Sequence, residues 1–216
     1  MIPWIIATRN PGKLLELVPL FQACGIDVVG LEDAGVREHP DEERIECFDT
    51  FEENALAKAA HFARLTGRPC IADDSGLCID ALDGGPGVRS RRIARDMGCV
   101  IDQRGEDAAN NAAVLDACWD SGWAPPWRAH YVCVAAYADG GAGTSHVARG
   151  RTDGTLQPDR SGDGGFGYDP HFVSDDLGLS FGLASRDAKA RVSHRARAFA
   201  ALLGFVARNA SVNGTR

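Results

Sequence analysis

Short apolar runs alternate with stretches of helical periodicity in the first third of the chain, and this alternation narrows the choice of fold more than any other feature. "WIIA" at 4–7 is rich in strand formers, and apolar residues from Leu14 to Phe21 then recur at helical spacing. "DVVGL" and "PCIA" predict two further strands, with a strong helix, "FEENALAKAAHFARL", between them. Strands that alternate with helices in this way indicate an α/β fold.

Local signals predict where several of these elements begin and end. Asn10 followed by Pro11 is a good helix start, because Asn caps free amides and Pro tolerates the first helical position. This helix should end near Cys24, where a glycine follows. Thr50 has the spacing of a capping box with Glu53. Later segments predict a helix over "EDAANNAAVLDAC", a strand over "AHYVCVAAYA" with "SHVARGRT" as its hairpin partner, and one helix over "RDAKARVSHRARAFAALLGFVARN".

The composition is that of a globular protein and argues against several classes of partner. The chain has 216 residues, 44% hydrophobic and 25% charged, which is enough for one large domain or two small lobes. Its net charge of −7 argues against a nucleic-acid partner but is compatible with a small anionic ligand. The seven cysteines form no Cys-x-x-Cys pair, and most are interpreted as reduced core residues. The first residues lack a secretory leader and no run is long enough to span a membrane, so we expect a cytoplasmic protein with no membrane partner.

The acidic run "ADDSG" follows the "PCIA" strand and predicts either a metal site or a hydrogen-bonded turn. Successive strand side chains point to opposite faces, so we expect one of Asp73 and Asp74 to enter a cleft while the other anchors the loop. Mg²⁺ prefers oxygen ligands, and one or two carboxylates suffice when phosphates supply the rest. An acid from 41–46 could complete such a set. An Asp-Ser-Gly turn with Asx-type hydrogen bonds explains the same residues without any ligand.

"ATRNPGK" places Thr8, Asn10 and Lys13 in a turn between a strand and a helix. Free amides and the helix dipole attract anions there, and the lysine adds a point charge for phosphate. A capped helix with a solvated lysine is the alternative interpretation. Asn54 and Lys58 are four residues apart and share a helix face, which points either into a pocket or into water.

Two later segments combine aromatic, acidic and basic residues. The glycines of "GGFGYDP" let the backbone approach a ligand closely, Phe166 can stack on a base, and Asp169 can accept from a ring N–H. "KARVSHRARA" places Lys189, His194 and Arg195 near the entrance of the last helix. An ordinary loop whose aromatic fills the core, and a solvated basic helix face, are the alternatives.

Five segments together resemble the inosine/xanthosine triphosphate pyrophosphatase family. "ATRNPGK", "TFEENALAKA", "IADDSGLCIDAL" with the following Gly-Gly and Pro-Gly, "GGFGYDP" and "SHR" occur in that family's order between Ala7 and Ala198. The resemblance implies an elongated two-lobed α/β fold around a central twisted mixed sheet, with helices on its faces and an active-site cleft between the lobes. We expect one domain over 1–208, followed by a disordered tail at 209–216.

The resemblance also implies an activity. Members of that family cleave deaminated purine nucleoside triphosphates such as ITP, dITP and XTP to the monophosphate and pyrophosphate, require Mg²⁺ and form homodimers. A pyrophosphatase for another modified nucleoside triphosphate is an alternative, and a nucleotide-binding module without catalysis is another. The order of preference among ITP, dITP and XTP, and the way guanine is rejected, stay open at this point.

The family's functional residues carry over onto matching positions of this sequence. Asp74 corresponds to the catalytic carboxylate and a metal ligand, and Glu46 is the acid before "TF" that fits a second metal ligand. Arg89 and Arg91 stand where the family usually has smaller or aromatic residues, and they either extend a basic wall or reach solvent. The residues up to Lys58 would hold the triphosphate and those from 166 onward the base, with the last three closing the base pocket. The positions that correspond to substrate contacts are Thr8, Arg9, Asn10, Pro11, Gly12, Lys13, Lys58, Ser75, Phe166, Gly167, Tyr168, Asp169, Lys189, His194 and Arg195.

Overall fold

Strands and helices alternate in the computed structural model, which describes residues 2–141 and 143–213, with the backbone alone at 43 and 207–213. The strands are β1 (Trp4–Ile6), β2 (Val28–Gly30), β3 (Cys70–Ile79), β4 (Trp127–Ala138), β5 (Ser145–Leu156) and β6 (Phe172–Ser174). The α-helices are α1 (Pro11–Ala23), α2 (Phe51–Thr66), α3 (Ile93–Asp96), α4 (Glu106–Asp120), α5 (Arg186–Val192) and α6 (His194–Asn213). Short 3₁₀ helices lie at Pro40–Arg44, Asp80–Leu82 and Gly87–Arg89.

The strands within the described residues form one six-stranded sheet in the order β2-β1-β3-β4-β5-β6. β1 lies parallel to β2, to which α1 connects it, and parallel to β3, with Ile6 opposite Ile71. β6 runs antiparallel to β5, with Leu156 opposite Phe172. Parallel pairs joined by a helical crossover and an antiparallel pair therefore occur in one sheet. This confirms the predicted α/β fold with a mixed sheet.

The chain packs into two units, and each has a buried apolar cluster of its own. The first unit contains the chain up to Asp74, residues 133–150 and the chain from Arg195 onward; the second contains 75–132 and 151–194. The cluster of the first unit is formed by Ile6, Leu17, Phe21, Ile71, Cys133, Ala135, Ala198, Phe199 and Leu202. The cluster of the second unit is formed by Leu77, Ile79, Val114, Cys118, Trp127, Ala129, Tyr131, Leu156, Tyr168, Phe172 and Phe181.

Two helices begin where the sequence predicts them to begin. The Asn10 side-chain oxygen accepts a hydrogen bond from the N–H of Gly12 at 2.8 Å, and α1 ends before its C-cap residue, Cys24. The Thr50 hydroxyl accepts from the N–H of Glu53 at 3.2 Å and donates to the Glu53 carboxylate at 2.7 Å. Both N-caps are confirmed, because side-chain oxygens bind amides that have no partner inside the helix. In the predicted capping box, the Glu53 carboxylate accepts from the Thr50 hydroxyl.

The acidic run is part of a strand, which argues against the turn that was one of the two interpretations of this segment. β3 continues without interruption through Asp73, Asp74 and the following Ser-Gly to Ile79. Gly76 allows the backbone of Gly87 to approach closely, since a Cβ atom at Gly76 would lie 2.1 Å from the Gly87 carbonyl oxygen. Small residues in this run therefore serve close packing within an extended strand, and a local pattern does not distinguish that from a turn.

The last predicted helix is two helices, which is a second correction. The chain is extended at Ser193, with φ −67° and ψ 147°, so that α5 ends at Val192 and α6 starts at His194. The N–H of Ser193 still donates to the Lys189 carbonyl at 2.8 Å, and this bond closes α5. α6 reaches Asn213, inside the segment predicted as a tail, and 214–216 lie outside the described residues.

The cysteines and the helices are the features for which the composition gave further expectations. Four of the seven cysteines, Cys70, Cys78, Cys118 and Cys133, are buried free thiols, whereas the other three are exposed free thiols. Within the described ranges there is no helix whose length and apolar character would let it cross a bilayer.

Candidate active site

Parallel strands and a helix start bring charged side chains together in the first unit. β1 and β3 are parallel neighbours with Ile6 opposite Ile71, so the loop after β1 lies beside the acids of β3, which follow Ile71 by two and three residues. The start of α1, one face of α2, the segment before α2 and the start of α6 add further polar side chains. We call these residues the charged cluster: Lys13, Glu16, Glu46, Asn54, Lys58, Asp73, Asp74 and Arg195.

Asp73 is the buried anion of the charged cluster. Its side chain is 1% exposed, and its Oδ2 lies 2.9 Å from Lys13 Nζ and 3.2 Å from Arg195 Nε. Burial alone would raise the pKa of this carboxyl, but the nearby charges of Lys13 and Arg195 outweigh it and hold the pKa well below its usual range. Asp73 is therefore ionised throughout the physiological pH range and orients two cations.

Arg195 belongs to the charged cluster, whereas the sequence analysis predicts it as part of the base pocket. It is almost fully buried, and besides Asp73 it binds Glu16, with Nη1 2.5 Å from Oε2. Burial works against its charge, but the two carboxylates outweigh that and raise the pKa of the guanidinium further. The sequence analysis does not identify Glu16, although its spacing of three from Lys13 on α1 places both on one helix face.

Asp74 has a different environment from its neighbour. It is half-buried, and its Oδ2 accepts a hydrogen bond from Asn54 Nδ2 at 2.9 Å. Burial, with a contribution from the charge of Glu46, raises the pKa of Asp74 to about 6, although Lys58, Lys13 and the Asn54 bond act in the opposite direction. A carboxylate with this pKa is ionised near neutrality and is more basic than an ordinary aspartate.

Glu46 and Lys58 form an ion pair beside Asp74. Burial would raise the pKa of Glu46, but the charge of Lys58 and its hydrogen bond lower it overall. Burial would likewise lower the pKa of Lys58, and the charges of Glu46 and Asp73 raise it overall. Both side chains are therefore charged, and each has an opposite charge as its neighbour.

Asn54 connects Asp74 to the segment that follows Glu46. Its Oδ1 accepts from the N–H of Phe48 at 2.9 Å, and its Nδ2 donates to the Phe48 carbonyl at 3.1 Å as well as to Asp74. A side chain that uses both ends of its amide holds a fixed orientation. The sequence indicates its helix face but gives no sign of these partners.

The predicted anion-binding turn is already internally hydrogen-bonded. The Thr8 hydroxyl accepts from the Asn10 N–H at 3.1 Å, and Asn10 Oδ1 accepts from both Gly12 and Lys13. The backbone N–H groups predicted to attract an anion are thus engaged, and Pro11 has none. Lys13 Nζ, 2.9 Å from Asp73 Oδ2, is the charged group that this turn contributes to the cluster.

Arg9, a predicted substrate contact, is directed towards the segment before α2. Its Nη2 and Nε bind the two carboxylate oxygens of Glu42 at 2.7 and 3.1 Å, and its Nη1 donates to the Val36 carbonyl at 3.0 Å. A bidentate pair of this kind fixes the direction of the guanidinium as well as its distance from the carboxylate. The arrangement favours an anchoring role for Arg9.

A second group of predicted residues lies in the second unit and is centred on the aromatic loop, Phe166–Asp169. Asp169 Oδ2 accepts from the Phe166 N–H at 2.9 Å and lies 2.6 Å from Lys189 Nζ. The Lys189 ammonium lies 4.9 Å from the centre of the Phe166 ring and 5.4 Å from that of Phe181. The carboxylate and the two aromatic rings therefore hold the buried Lys189 side chain in one direction.

Tyr168 and His194 are packed into the second unit. The Tyr168 hydroxyl donates to the Ser90 carbonyl at 2.6 Å, and burial raises its pKa well above the usual value. The His194 ring is buried and stacks on Tyr131, with ring centres 4.5 Å apart and planes 9° apart. Ser75, the first residue of this unit, is half-buried.

Arg89 and Arg91 of "PGVRSRR" lie in neither of these two groups. Arg89 binds Asp96 at 2.8 Å, and both its side chain and Arg91 are exposed. Both reach solvent, which was one of the two interpretations of this segment.

The fold and these groups of residues define an α/β protein with an acid pair set among lysines and an arginine, as in sites that bind phosphorylated ligands. The chain belongs to the Ham1 family, whose model matches residues 4–205.

Named relatives and solved structures agree with this assignment. The dITP/XTP pyrophosphatase of Burkholderia pseudomallei is 43% identical over 92% of this chain and 90% of its own length. That of Nocardia farcinica is 43% identical over 92% of both chains. The structure of a HAM1 protein from Coxiella burnetii matches with a TM-score of 0.80 at 30% identity, over 96% of this chain and 100% of its own. The structure of the nucleoside-triphosphatase, or dITP/XTP pyrophosphatase, from Mycobacterium abscessus matches with a TM-score of 0.67 at 38% identity, over 94% of this chain and 99% of its own.

Proposed function

We propose that this protein hydrolyses ITP, dITP and XTP to the corresponding monophosphate and pyrophosphate. The observation that carries the proposal is the half-buried carboxylate of Asp74, oriented by Asn54 inside a cluster that contains Lys13 and Lys58. Such a site combines a proton acceptor with cations that offset phosphate charge. The relatives that are 43% identical over 92% of the chain, and are named dITP/XTP pyrophosphatases, support the same reaction.

Each charged residue has a separate role in this proposal. Asp74 accepts the proton of the attacking water. Lys13 and Lys58 bind phosphate oxygens and offset their charge. Asp73 contacts no substrate; it holds Lys13 and Arg195 in place.

The carboxylate oxygens of the charged cluster are suitable ligands for Mg²⁺. Asp74 and Glu46 would hold the ion, and phosphate oxygens and water would complete its shell. Burial and the charge of Glu46 both disfavour the ionised form of Asp74, and a dication would offset both effects. In the described part of the chain, no group of three or more His, Cys, Asp or Glu side chains is arranged to hold a metal ion. When bound, Mg²⁺ would neutralise charge that shifts between the phosphates during cleavage.

The residues of the aromatic loop and Lys189 take the purine in this proposal. Hypoxanthine and xanthine carry a carbonyl acceptor at position 6, where adenine carries an amino donor. Lys189 has only donors, so it can satisfy the carbonyl and would leave the adenine amine opposed. Mismatches of buried donors can discriminate by on the order of 10⁴. The Phe166 ring offers a face on which the base can stack.

A substrate panel tests the proposed function. Purified protein is incubated with Mg²⁺ and ITP, dITP, XTP, GTP or ATP, and the release of pyrophosphate and of the monophosphate is measured for each. We expect the three deaminated purines to have the highest kcat/KM. Absence of pyrophosphate release from all three would refute the proposal. A higher kcat/KM for another triphosphate would show that the protein prefers that substrate instead.

We further infer that the protein works as a homodimer in the cytoplasm, where free nucleotides are found. Size-exclusion chromatography with light scattering measures the oligomeric state directly. A mass close to the 23.0 kDa of one chain at micromolar concentration would contradict the dimer.

A further inference from the structure

One residue of the aromatic loop, Gly167, is bound through both its backbone N–H and its backbone carbonyl by side chains of helix α4. The N–H of Gly167 donates to Asp107 Oδ2 at 2.8 Å, and the carbonyl of Gly167 accepts from Asn111 Nδ2 at 3.0 Å. Asp107 and Asn111 are four residues apart and therefore lie on one face of α4. Both polar atoms of a single loop residue are thus bound by side chains of one rigid element.

The orientation of the Asn111 amide is determined by its neighbours. Nδ2 donates to two carbonyl oxygens, those of Asp107 at 2.8 Å and Gly167 at 3.0 Å. A flipped amide would place Oδ1 against both carbonyls, so the nitrogen must face them. Oδ1 is buried and accepts no hydrogen bond from any residue that the structure describes. Leaving a buried acceptor unpaired destabilises a fold, so an asparagine whose donors alone are used is expected to serve a purpose other than packing.

The backbone conformation of Gly167 is one that few other residues adopt, so its two hydrogen bonds to α4 bear on the position of the loop. Its φ is +60°, in the left-handed region that glycine adopts most readily. It lies between Phe166, whose N–H is bound by Asp169, and Tyr168, whose hydroxyl binds Ser90. With Gly167 bound to α4 as well, the position of the Phe166 ring is fixed on both sides.

We propose that Asp107 and Asn111 are positioning residues that set purine selectivity by fixing the aromatic loop. This inference rests on the proposed function and deepens it. Guanine shares the 6-carbonyl of hypoxanthine and differs by an exocyclic 2-amine, so a lysine donor at position 6 cannot reject it. Xanthine carries a carbonyl acceptor at position 2 and is no smaller there than guanine, so the feature to reject is the donor character of guanine's 2-amine. A loop held in one position cannot readjust to that donor, whereas a loop freed from α4 can.

The test separates base recognition from catalysis and from folding. Asp107→Ala and Asn111→Ala are compared with wild type for KM and kcat on ITP and GTP, and for binding of IMP by calorimetry. Asp107 is exposed, so its variant is expected to fold. We expect KM for ITP to rise about tenfold, kcat to change less than about twofold, and the preference for ITP over GTP in kcat/KM to fall about tenfold.

Two control variants distinguish positioning from general stability. Asp107→Asn keeps an oxygen that can accept from Gly167 and should restore near-wild-type selectivity. Asn110, the next residue of α4, binds the Ala94 N–H at 3.0 Å and the Arg91 carbonyl at 2.7 Å, so Asn110→Ala should lower Tm without changing the ITP to GTP ratio.

The possible results are distinct. Folded Asp107→Ala with unchanged KM, IMP affinity and selectivity overturns the inference, as does an equal change of selectivity in Asn110→Ala. Hydrogen exchange of the loop peptide gives a readout that needs no activity: exchange at Gly167 should accelerate in Asp107→Ala, and an unchanged rate contradicts the anchor. A wild-type protein that does not hydrolyse ITP refutes the proposed function instead and leaves the exchange result standing.

Discussion

Asn54 Nδ2 lies 2.9 Å from Asp74 Oδ2, and the same amide binds both the N–H and the carbonyl of Phe48. One side chain therefore fixes the direction of the candidate catalytic carboxylate relative to the segment after Glu46. The orientation and the ionisation of Asp74 both depend on this contact.

Replacement of Asp74 by asparagine should remove catalysis and leave binding largely intact. The amide keeps the shape and volume of the carboxylate but cannot accept a proton or neutralise a cation. We expect kcat for ITP to fall by on the order of 10³ or more, with the affinity for IMP within a few-fold of wild type. Steady-state kinetics and calorimetry measure the two quantities. Turnover at the wild-type rate would show that Asp74 is not the catalytic carboxylate.

The ionisation of Asp74 should be visible in the pH dependence of the metal-free protein. Its pKa of about 6 lies above the ordinary value of 3.8 because of burial, so the folded state favours the protonated form. Stability contributed by that proton is present below pH 3.8 and is lost as pH rises through 6, by on the order of 3 kcal/mol. The free energy of unfolding of wild type relative to Asp74→Asn should fall over this interval.

Carbon-13 NMR of the aspartate carboxyls measures the same titration directly. Added Mg²⁺ should move the midpoint to lower pH, because a cation favours the ionised form. A midpoint near 4 without metal, or one that Mg²⁺ leaves unchanged, contradicts the assigned environment.

The Arg9–Glu42 pair should matter for metal binding more than for substrate binding. Glu42 lies in the same segment as Glu46, so loss of its anchor should displace Glu46, the proposed second metal ligand. Arg9→Lys keeps the charge but not the paired geometry, and we expect the Mg²⁺ concentration for half-maximal activity to rise several-fold. A double-mutant cycle with Glu42→Gln should give a coupling of about 1 kcal/mol in stability. A change in KM for ITP alone, at saturating Mg²⁺, would favour direct substrate contact by Arg9.

Gly165→Ala should displace Lys189, the lysine that we propose faces the base. A Cβ atom there would lie 2.0 Å from Asp169 Oδ2, the atom that binds Lys189, so the carboxylate must move. We expect KM for ITP to rise by about tenfold or more. Gly178→Ala is a matched control, since Gly178 also has a positive φ but has open space around the Cβ position. It should cost about 1 kcal/mol of stability with unchanged KM, and an equal rise in KM would attribute the effect to strain.

Several elements of this protein follow from the local sequence. The alternation of strands and helices, the Asn10 and Thr50 caps and the extent of α4 depend on a few neighbouring residues, whose hydrogen bonds and apolar spacing are decided locally. The order of the five motifs along the chain also predicted the family, because both the residues of each motif and the order of the motifs can be read from the sequence alone.

Only the tertiary structure decided which charged residues meet. Asp73 and Arg195 are 122 positions apart, and Asn54 and Asp74 are 20 apart. No local pattern assigns such partners, because a buried charge takes the opposite charge that the packing of distant segments delivers. For the same reason the sequence could not predict that Arg195 binds Asp73 and Glu16, or that Arg9 binds Glu42. It also could not predict that β3 continues through the acidic run. Propensities act over a few residues, whereas the partner of each buried charge is selected by contacts that form when the whole chain has folded.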